Sequence, residues 1–216
     1  MDMVNEEKLL RREMIEKQIR LRGVHDERLL AVMEEIPRSL FVPPNLRNRA
    51  YDDTPLPIGE GQTISQPFIV AEMTAALKLT GTEKILEIGA GSGYQTAILS
   101  KLSRHVVAVE RIPSLAAKAK HILGELGYEN IDLVVDDGTQ GFPAMAPYDR
   151  ILAAAASPSI PQPLLEQLVE GGIMVLPVGD RWHQQLLMVT KREGKPEIKR
   201  LGGCVFVPLI GKHGFS

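Results

Sequence analysis

"KILEIGAGSGYQTAILSKL", residues 84–102, decides the fold. An apolar run ends in a loop with Gly89, Gly91 and Gly93, and a helical pattern opens directly behind it. Backbone N–H groups and the helix dipole meet at such a junction, which suits an anionic group of a nucleotide-like ligand. From Lys84 onward the texture alternates. Strands are predicted at 84–90, 105–110, 131–137, 148–156 and 173–179, with helices at 93–102, 113–127 and 161–172 between them. Short apolar strands separated by helices predict a doubly wound, mostly parallel α/β sheet covered on both faces. Prolines at the start of the 161–172 segment and Gly171-Gly172 at its end read as helix punctuation. After Asp180, residues 184–192 and 197–211 read as two strands with no helix between them, an antiparallel edge.

Ahead of the sheet, Leu9, Leu10, Ile15 and Ile19, then Leu29, Leu30, Val32 and Met33, repeat at helical spacing, so residues 1–80 are predicted to be helical. The proline-rich "IPRSLFVPPN" (36–45) breaks them. The chain has 216 residues and 44% hydrophobic content, enough for one compact core. One domain over 1–216 is expected, with residues 1–80 as a helical and substrate-loop region and 81–216 as the sheet core. Lysine plus arginine total 25 against 27 acidic residues, a net charge of −2, so nothing overall advertises nucleic acid as a partner. The charged start lacks the apolar core of a signal peptide, and no apolar run reaches membrane-spanning length. A cytoplasmic monomer without membrane attachment is expected. The single cysteine, Cys204, sits among apolar neighbours and reads as a buried structural thiol. His25, His105, His121, His183 and His213 show no metal-ligand spacing, and no metal is expected.

Three strand ends carry polar chemistry. The loop glycines Gly89 and Gly91 offer a cradle for a carboxylate. Glu110 ends the second strand, where an acid accepts from both hydroxyls of a ribose. Asp136-Asp137-Gly138 ends the third, where an acid accepts from an adenine amino group. A dinucleotide fingerprint would place glycine or alanine where Tyr94 stands, which disfavours hydride transfer. The constellation resembles the S-adenosylmethionine-dependent methyltransferases. Acids around a cleft also suit that cofactor's sulfonium cation.

The acceptor is constrained by what the chain lacks. "DRILAAAAS" (149–157) has none of the Asn/Asp-Pro-Pro-aromatic residues that hold an amino acceptor, and no base or metal suits a hydroxyl. A carboxylate, with a pKa near ~3.5 to 4, is ionised already and needs no base. "GQTISQP" (61–67), "LFVPP" (40–44), "AYDDTPLPIGEG" (50–61), the glycine loop, "APYDRILAAAA" (146–156), "GGIMVLPVG" (171–179) and "FVPLIG" (206–211) together resemble the protein-L-isoaspartate O-methyltransferase family, in order from roughly residue 10 to 211.

That resemblance implies methylation of the free carboxylate of L-isoaspartyl residues in damaged proteins and peptides, starting repair through a succinimide. It implies S-adenosylmethionine as cofactor and S-adenosylhomocysteine as product. It places the catalytic role on Ser65, the cofactor contacts on Thr63, Gly89, Gly91, Glu110, Asp137 and Gly138, and the substrate contacts on Ile64, Ser65, Val207 and Leu209. Two positions depart from the family pattern: Asp136 replaces a glycine, and Glu60 stands where many members have another residue. Ser65 also admits a bland reading, as the N-cap of the helix that follows, unless Pro67 takes the first helical position and moves the cap to Gln66. The alanines at 153–156 read equally as close packing or as a floor that admits a peptide backbone. A small-molecule or RNA methyltransferase and a non-catalytic reader of damaged protein remain as alternatives.

Overall fold

The computed structural model describes residues 3–215. Its main sheet has seven strands: β3 (Lys84–Ile88), β4 (His105–Glu110), β5 (Ile131–Val135), β6 (Tyr148–Ala153), β7 (Leu168–Gly179), β8 (Gln184–Arg192) and β9 (Lys195–Cys204). They lie in the order β5-β4-β3-β6-β7-β8-β9, parallel from β5 to β7 and antiparallel from β7 to β9. The order reverses between β3 and β6. In an open α/β sheet that reversal leaves a crevice beyond the carboxyl ends of the strands, the usual ligand position.

Side chains alternate across each strand, and both faces are apolar. Leu86, Ile88, Val107, Val109, Ile151, Met174 and Leu176 point one way and pack with Leu164 and Leu165 of α6 (Gln162–Gln167). Ile85, Val106, Ala108, Leu152 and Val175 point the other way, onto Met73 and Leu77 at α3 (Pro67–Ala76) and Leu99 of α4 (Tyr94–Leu102). The N-terminal region is built into this core. Ile19, Leu29 and Met33 have no exposed surface, and α2 (Glu27–Glu35) is capped by Asp26, whose carboxylate accepts from the N–H groups of Arg28 and Leu29. At roughly 1.5–3 kcal/mol per fully buried aliphatic side chain, the region is integral to stability rather than an appendage.

Several expected boundaries shift, each for a local reason. The helix expected over 161–172 stops at Gln167, because Leu168 turns extended and pairs with Tyr148. Gly171, at φ +75°, lies in the irregular stretch of β7 rather than in a helix cap. The 148–156 strand ends at Ala153, and residues 154–156 bend toward the C-terminal segment. Residues 205–211 likewise leave the sheet after Cys204. Within the predicted helical region the structure holds a hairpin, β1 (Leu56–Gly59) and β2 (Gln62–Ile64). α1 (Met3–Glu13) runs into a π-helical turn at Met14–Ile19, so Ile15 and Ile19 are buried while Leu9 and Leu10 face outward. Trp182 and His183 occupy the exposed β7–β8 turn, their N–H groups donating to the Asp180 carboxylate.

Candidate active site

The glycine loop is stitched to the neighbouring strand. Gly89 and Ala90 donate their N–H groups to the Val109 carbonyl at 2.8 and 3.3 Å, and Gly93 donates to Ala90 at 2.8 Å. Gly93 takes φ +88° at the N-cap of α4, and a Cβ there would stand 3.2 Å from the Cβ of Ala119 in α5 (Pro113–Glu125). A larger residue would strain the turn and push the helix away. Tyr94 is buried instead against the N-terminal region. Its ring meets Phe41 edge-on at 5.5 Å between centroids.

Glu110 is buried at the end of β4, and its two carboxylate oxygens have different tasks. Oε2 accepts from the Gly91 N–H and Oε1 from the Ile112 N–H, both at 2.9 Å. Each oxygen keeps a lone-pair site for a further donor. The adjacent acid of β3, Glu87, is completely buried, and among the described residues neither of its oxygens nor the nearby Thr96 Oγ1 meets a partner in good hydrogen-bond geometry. Burial first, and the Glu110 charge second, push its carboxyl from 4.5 up to about 8 despite the opposing influence of Thr96. A raised acid pKa means the folded chain binds more protons than the unfolded one between those values, so stability falls as pH rises through that window, by at most ~1.4 kcal/mol per pH unit. Glu87→Gln is expected to flatten that slope. Melting temperatures from pH 5 to 8 check it, with the larger gain at pH 8.

Gly138 lines the cleft; a Cβ added to it would lie 2.6 Å from Ile88 Cγ2. Gly138→Ala is therefore expected to cost ~1–3 kcal/mol and to narrow the cleft, measured by thermal melting and by calorimetric titration with S-adenosylhomocysteine. Asp137 stands behind the lining. Its carboxylate accepts from Thr139 N–H at 3.0 Å, Thr139 Oγ1 at 2.7 Å and Lys212 N–H at 2.9 Å. Burial alone would raise its pKa, yet these bonds hold it below the ordinary carboxylate value. Asp136 is exposed and accepts from the Asp137 N–H.

The hairpin β1–β2 lies over this cleft. Its tip holds Glu60 at φ +54° and Gly61 at φ +69°, and the Glu60 carboxylate accepts from Ser114 Oγ at 2.8 Å. Glu60 thus ties the hairpin to the start of α5, which accounts for an acid at that position. Pro67 is the first residue of α3 and Gln66 its N-cap, so Ser65 does not cap the helix. Among the described residues, nothing hydrogen-bonds the Ser65 hydroxyl; only its carbonyl is engaged, by Arg38 Nη2 at 2.8 Å.

Two cavities meet at this serine. The cleft, about 130 Å³, runs from the glycine loop and Glu110 to Gly138 and Leu209. A wider groove of about 670 Å³ lies on the far side, between Arg22, Phe68, Glu72 and residues 202–207. Thr63, Ser65, Ala154 and Val207 belong to both walls. Ala154 N–H donates to Ile88 O at 2.8 Å, and Ala156 exchanges bonds with Val207 and Leu209 at 2.8 and 2.7 Å, fixing "FVPL" beside the alanines. Ala153 and Ala156 are buried packing, Ala155 is buried in the wall of the cleft, and Ala154 faces both cavities.

Of the expected substrate residues, Ser65 and Val207 border the groove. Ile64 and Leu209 line the cleft and not the groove. Cys204, expected to be buried, is half-buried in the groove wall, and burial pushes its thiol up to about 11, away from nucleophilic chemistry. Sequence reasoning missed Arg38 and the groove residues Arg22, Phe68 and Glu72. For Arg38 one signal existed, a lone charge inside a proline-bounded apolar stretch. Among the described residues, no group of three or more His, Cys, Asp or Glu residues is placed to hold a metal ion.

The family model for protein-L-isoaspartate(D-aspartate) O-methyltransferase (PCMT) matches residues 9–214. The chain belongs to that family. A protein-L-isoaspartate O-methyltransferase of Methanoculleus marisnigri is 57% identical over 206 residues, 95% of this chain and 94% of the relative. A solved protein-L-isoaspartate O-methyltransferase shares 27% identity and superposes with a TM-score of 0.84 over 94% of this chain and 67% of its own. A family structure from Plasmodium falciparum, in complex with S-adenosyl-L-homocysteine, shares the fold at a TM-score of 0.80 and 23% identity, covering 94% of this chain and 98% of its own. No helix among the described residues is long and apolar enough to cross a membrane.

Proposed function

We propose that the protein transfers a methyl group from S-adenosylmethionine to the free carboxylate of L-isoaspartyl residues in damaged proteins and peptides, forming the ester that starts repair. The observation that carries this reading is the shared wall: one cleft with a nucleotide-type acid and glycine loop, and one groove wide enough for a peptide, touch only through Thr63, Ser65, Ala154 and Val207. A methyl donor on one side and a peptide carboxylate on the other would meet there.

The residues of the cleft fit the cofactor. Glu110, already oriented by two backbone N–H groups, holds the ribose hydroxyls. Gly89 and Gly91 admit the amino-acid portion without side chains in the way, and Thr63 closes over it. Gly138 leaves room for the adenine ring, while Asp137, expected to touch adenine but standing behind the lining, braces the C-terminal segment at Lys212. Bound there, S-adenosylmethionine supplies a sulfonium-activated methyl carbon and leaves as S-adenosylhomocysteine.

The chain's own work is alignment, because a carboxylate is ionised at neutral pH and no proton has to be removed. Ser65 donates its hydroxyl to one carboxylate oxygen and keeps the other directed at the cleft. Val207 and Ala154 form an apolar rim around the reacting oxygen, thinning water there. In an isoaspartyl residue the chain runs on through the side-chain carbonyl, so the free carboxylate sits directly on Cα and the methylene lies within the chain; an aspartyl carboxylate hangs one methylene off the backbone and would meet the wall at a different depth.

Incubation with methyl-labelled S-adenosylmethionine and two peptides differing only in aspartyl or L-isoaspartyl linkage tests the proposal, with methanol released by mild base as the readout. Release from the isoaspartyl peptide alone is expected. Equal release from both, or none with cofactor binding intact, would overturn it.

A further inference from the structure

Arg38 has no exposed surface and, among the described residues, no carboxylate partner. It sits in the 3₁₀ turn Arg38–Phe41, between helix α2 and the hairpin. Its Nε donates to the Ala50 carbonyl and its Nη2 to the Ser65 carbonyl, both at 2.8 Å. The guanidinium carbon lies 4.9 Å from the centre of the Tyr94 ring, the residue that opens α4 directly behind the glycine loop. Among the described residues, neither Nη1 nor the Tyr94 hydroxyl has a hydrogen-bond partner. Burial pulls the guanidinium down to about 10, so it is still a cation at neutral pH. Burying an unpaired cation is costly, and an apolar residue of similar volume would fill the space with less penalty. What an apolar residue cannot do is grip two carbonyls from separate loops while lying on a ring of a third element.

We propose that Arg38 is a positioning residue for methyl transfer: it holds the Ser65 backbone at a fixed height over the cofactor loop by joining Ser65, Ala50 and Tyr94 through one rigid planar group. This rests on the proposed role of Ser65. The fork geometry matters because the two bonds leave different nitrogens of one plane, so Ala50 and Ser65 cannot drift independently. With Ser65's side chain otherwise free of hydrogen bonds, the carbonyl tether and the turn into Pro67 determine where its hydroxyl points. Glycine-loop or hairpin motion would reach the serine through the same guanidinium.

A double-mutant cycle tests this on the full chain. Arg38→Lys keeps the charge but offers no planar fork. It is expected to lower kcat on an isoaspartyl peptide about tenfold, with less than a twofold change in S-adenosylhomocysteine affinity. In a Ser65→Ala background the same substitution should cost less than twofold, because the group being positioned is gone. A full tenfold loss in that background would show that Arg38 acts on the fold or on the cofactor and would overturn the proposal. Wild-type turnover by Ser65→Ala alone would instead sink the role given to Ser65. If Arg38→Lys folds poorly, Arg38→Gln replaces it in the cycle: a loss of kcat in the wild-type background that shrinks below twofold in the Ser65→Ala background is expected, and an equal loss in both backgrounds would overturn the proposal.

Discussion

Ser65→Ala is expected to lower turnover on an L-isoaspartyl peptide by ~10²-fold, the scale found when one preorganised donor is removed from a reacting oxygen. The melting temperature should move by less than ~2 °C. The contrast follows from the geometry. The Ser65 hydroxyl bonds to nothing among the described residues, and the helix cap belongs to Gln66, so its loss breaks no structural interaction. Surface-type substitutions of this kind stay within roughly 0.5 kcal/mol. Initial rates with saturating S-adenosylmethionine, alongside a thermal melt, provide the check. Normal activity in a destabilised variant would return Ser65 to a structural role.

Glu110→Gln should weaken S-adenosylhomocysteine binding by ~10²-fold and lower the melting temperature by several degrees. An amide keeps one acceptor oxygen and turns an NH₂ toward a second N–H, so either the Gly91 or the Ile112 donor loses its partner. A hydrogen bond to a charged group contributes ~1.5–3 kcal/mol, and an unsatisfied buried donor costs ~1–3 kcal/mol. The glycine loop would loosen at Gly91 at the same time as the ribose loses its acceptor. Calorimetric titration measures the affinity; an unchanged Kd would mean that the ribose is not held at Glu110.

The parts of this site legible in the sequence were those with local signatures. Gly89, Gly91 and Gly93 need positive φ, and Glu110 and Gly138 fall at strand ends that hydrophobic runs delimit. The seven-strand core followed from the same runs, down to its antiparallel edge. Errors gathered where a long-range partner overrode a local cue. Gly171-Gly172 looked like a helix terminus, but pairing of Leu168 with Tyr148 had already drawn the chain into β7. Residues 50–66 fell inside the stretch expected to be helical, yet they hold a hairpin, tied to its surroundings by Glu60 accepting from Ser114 and by Arg38 donating to Ser65 and Ala50. The groove was legible only at Ser65 and Val207, because Arg22, Phe68 and Glu72 join residues 202–207 in its wall from distant parts of the chain. Asp137 illustrates a subtler gap: its position was legible, but not that three donors from Thr139 and Lys212 would occupy it.

The central claim is that cofactor and peptide face each other across the wall formed by Thr63, Ser65, Ala154 and Val207. A crystal structure of the protein with S-adenosylhomocysteine and an L-isoaspartyl hexapeptide tests it most directly. The account predicts the isoaspartyl carboxylate within ~3 Å of Ser65 Oγ, the peptide backbone along Arg22, Phe68 and Phe206, and the cofactor sulfur on the opposite side of the wall. A carboxylate bound elsewhere, with Ser65 touching neither ligand, would contradict it.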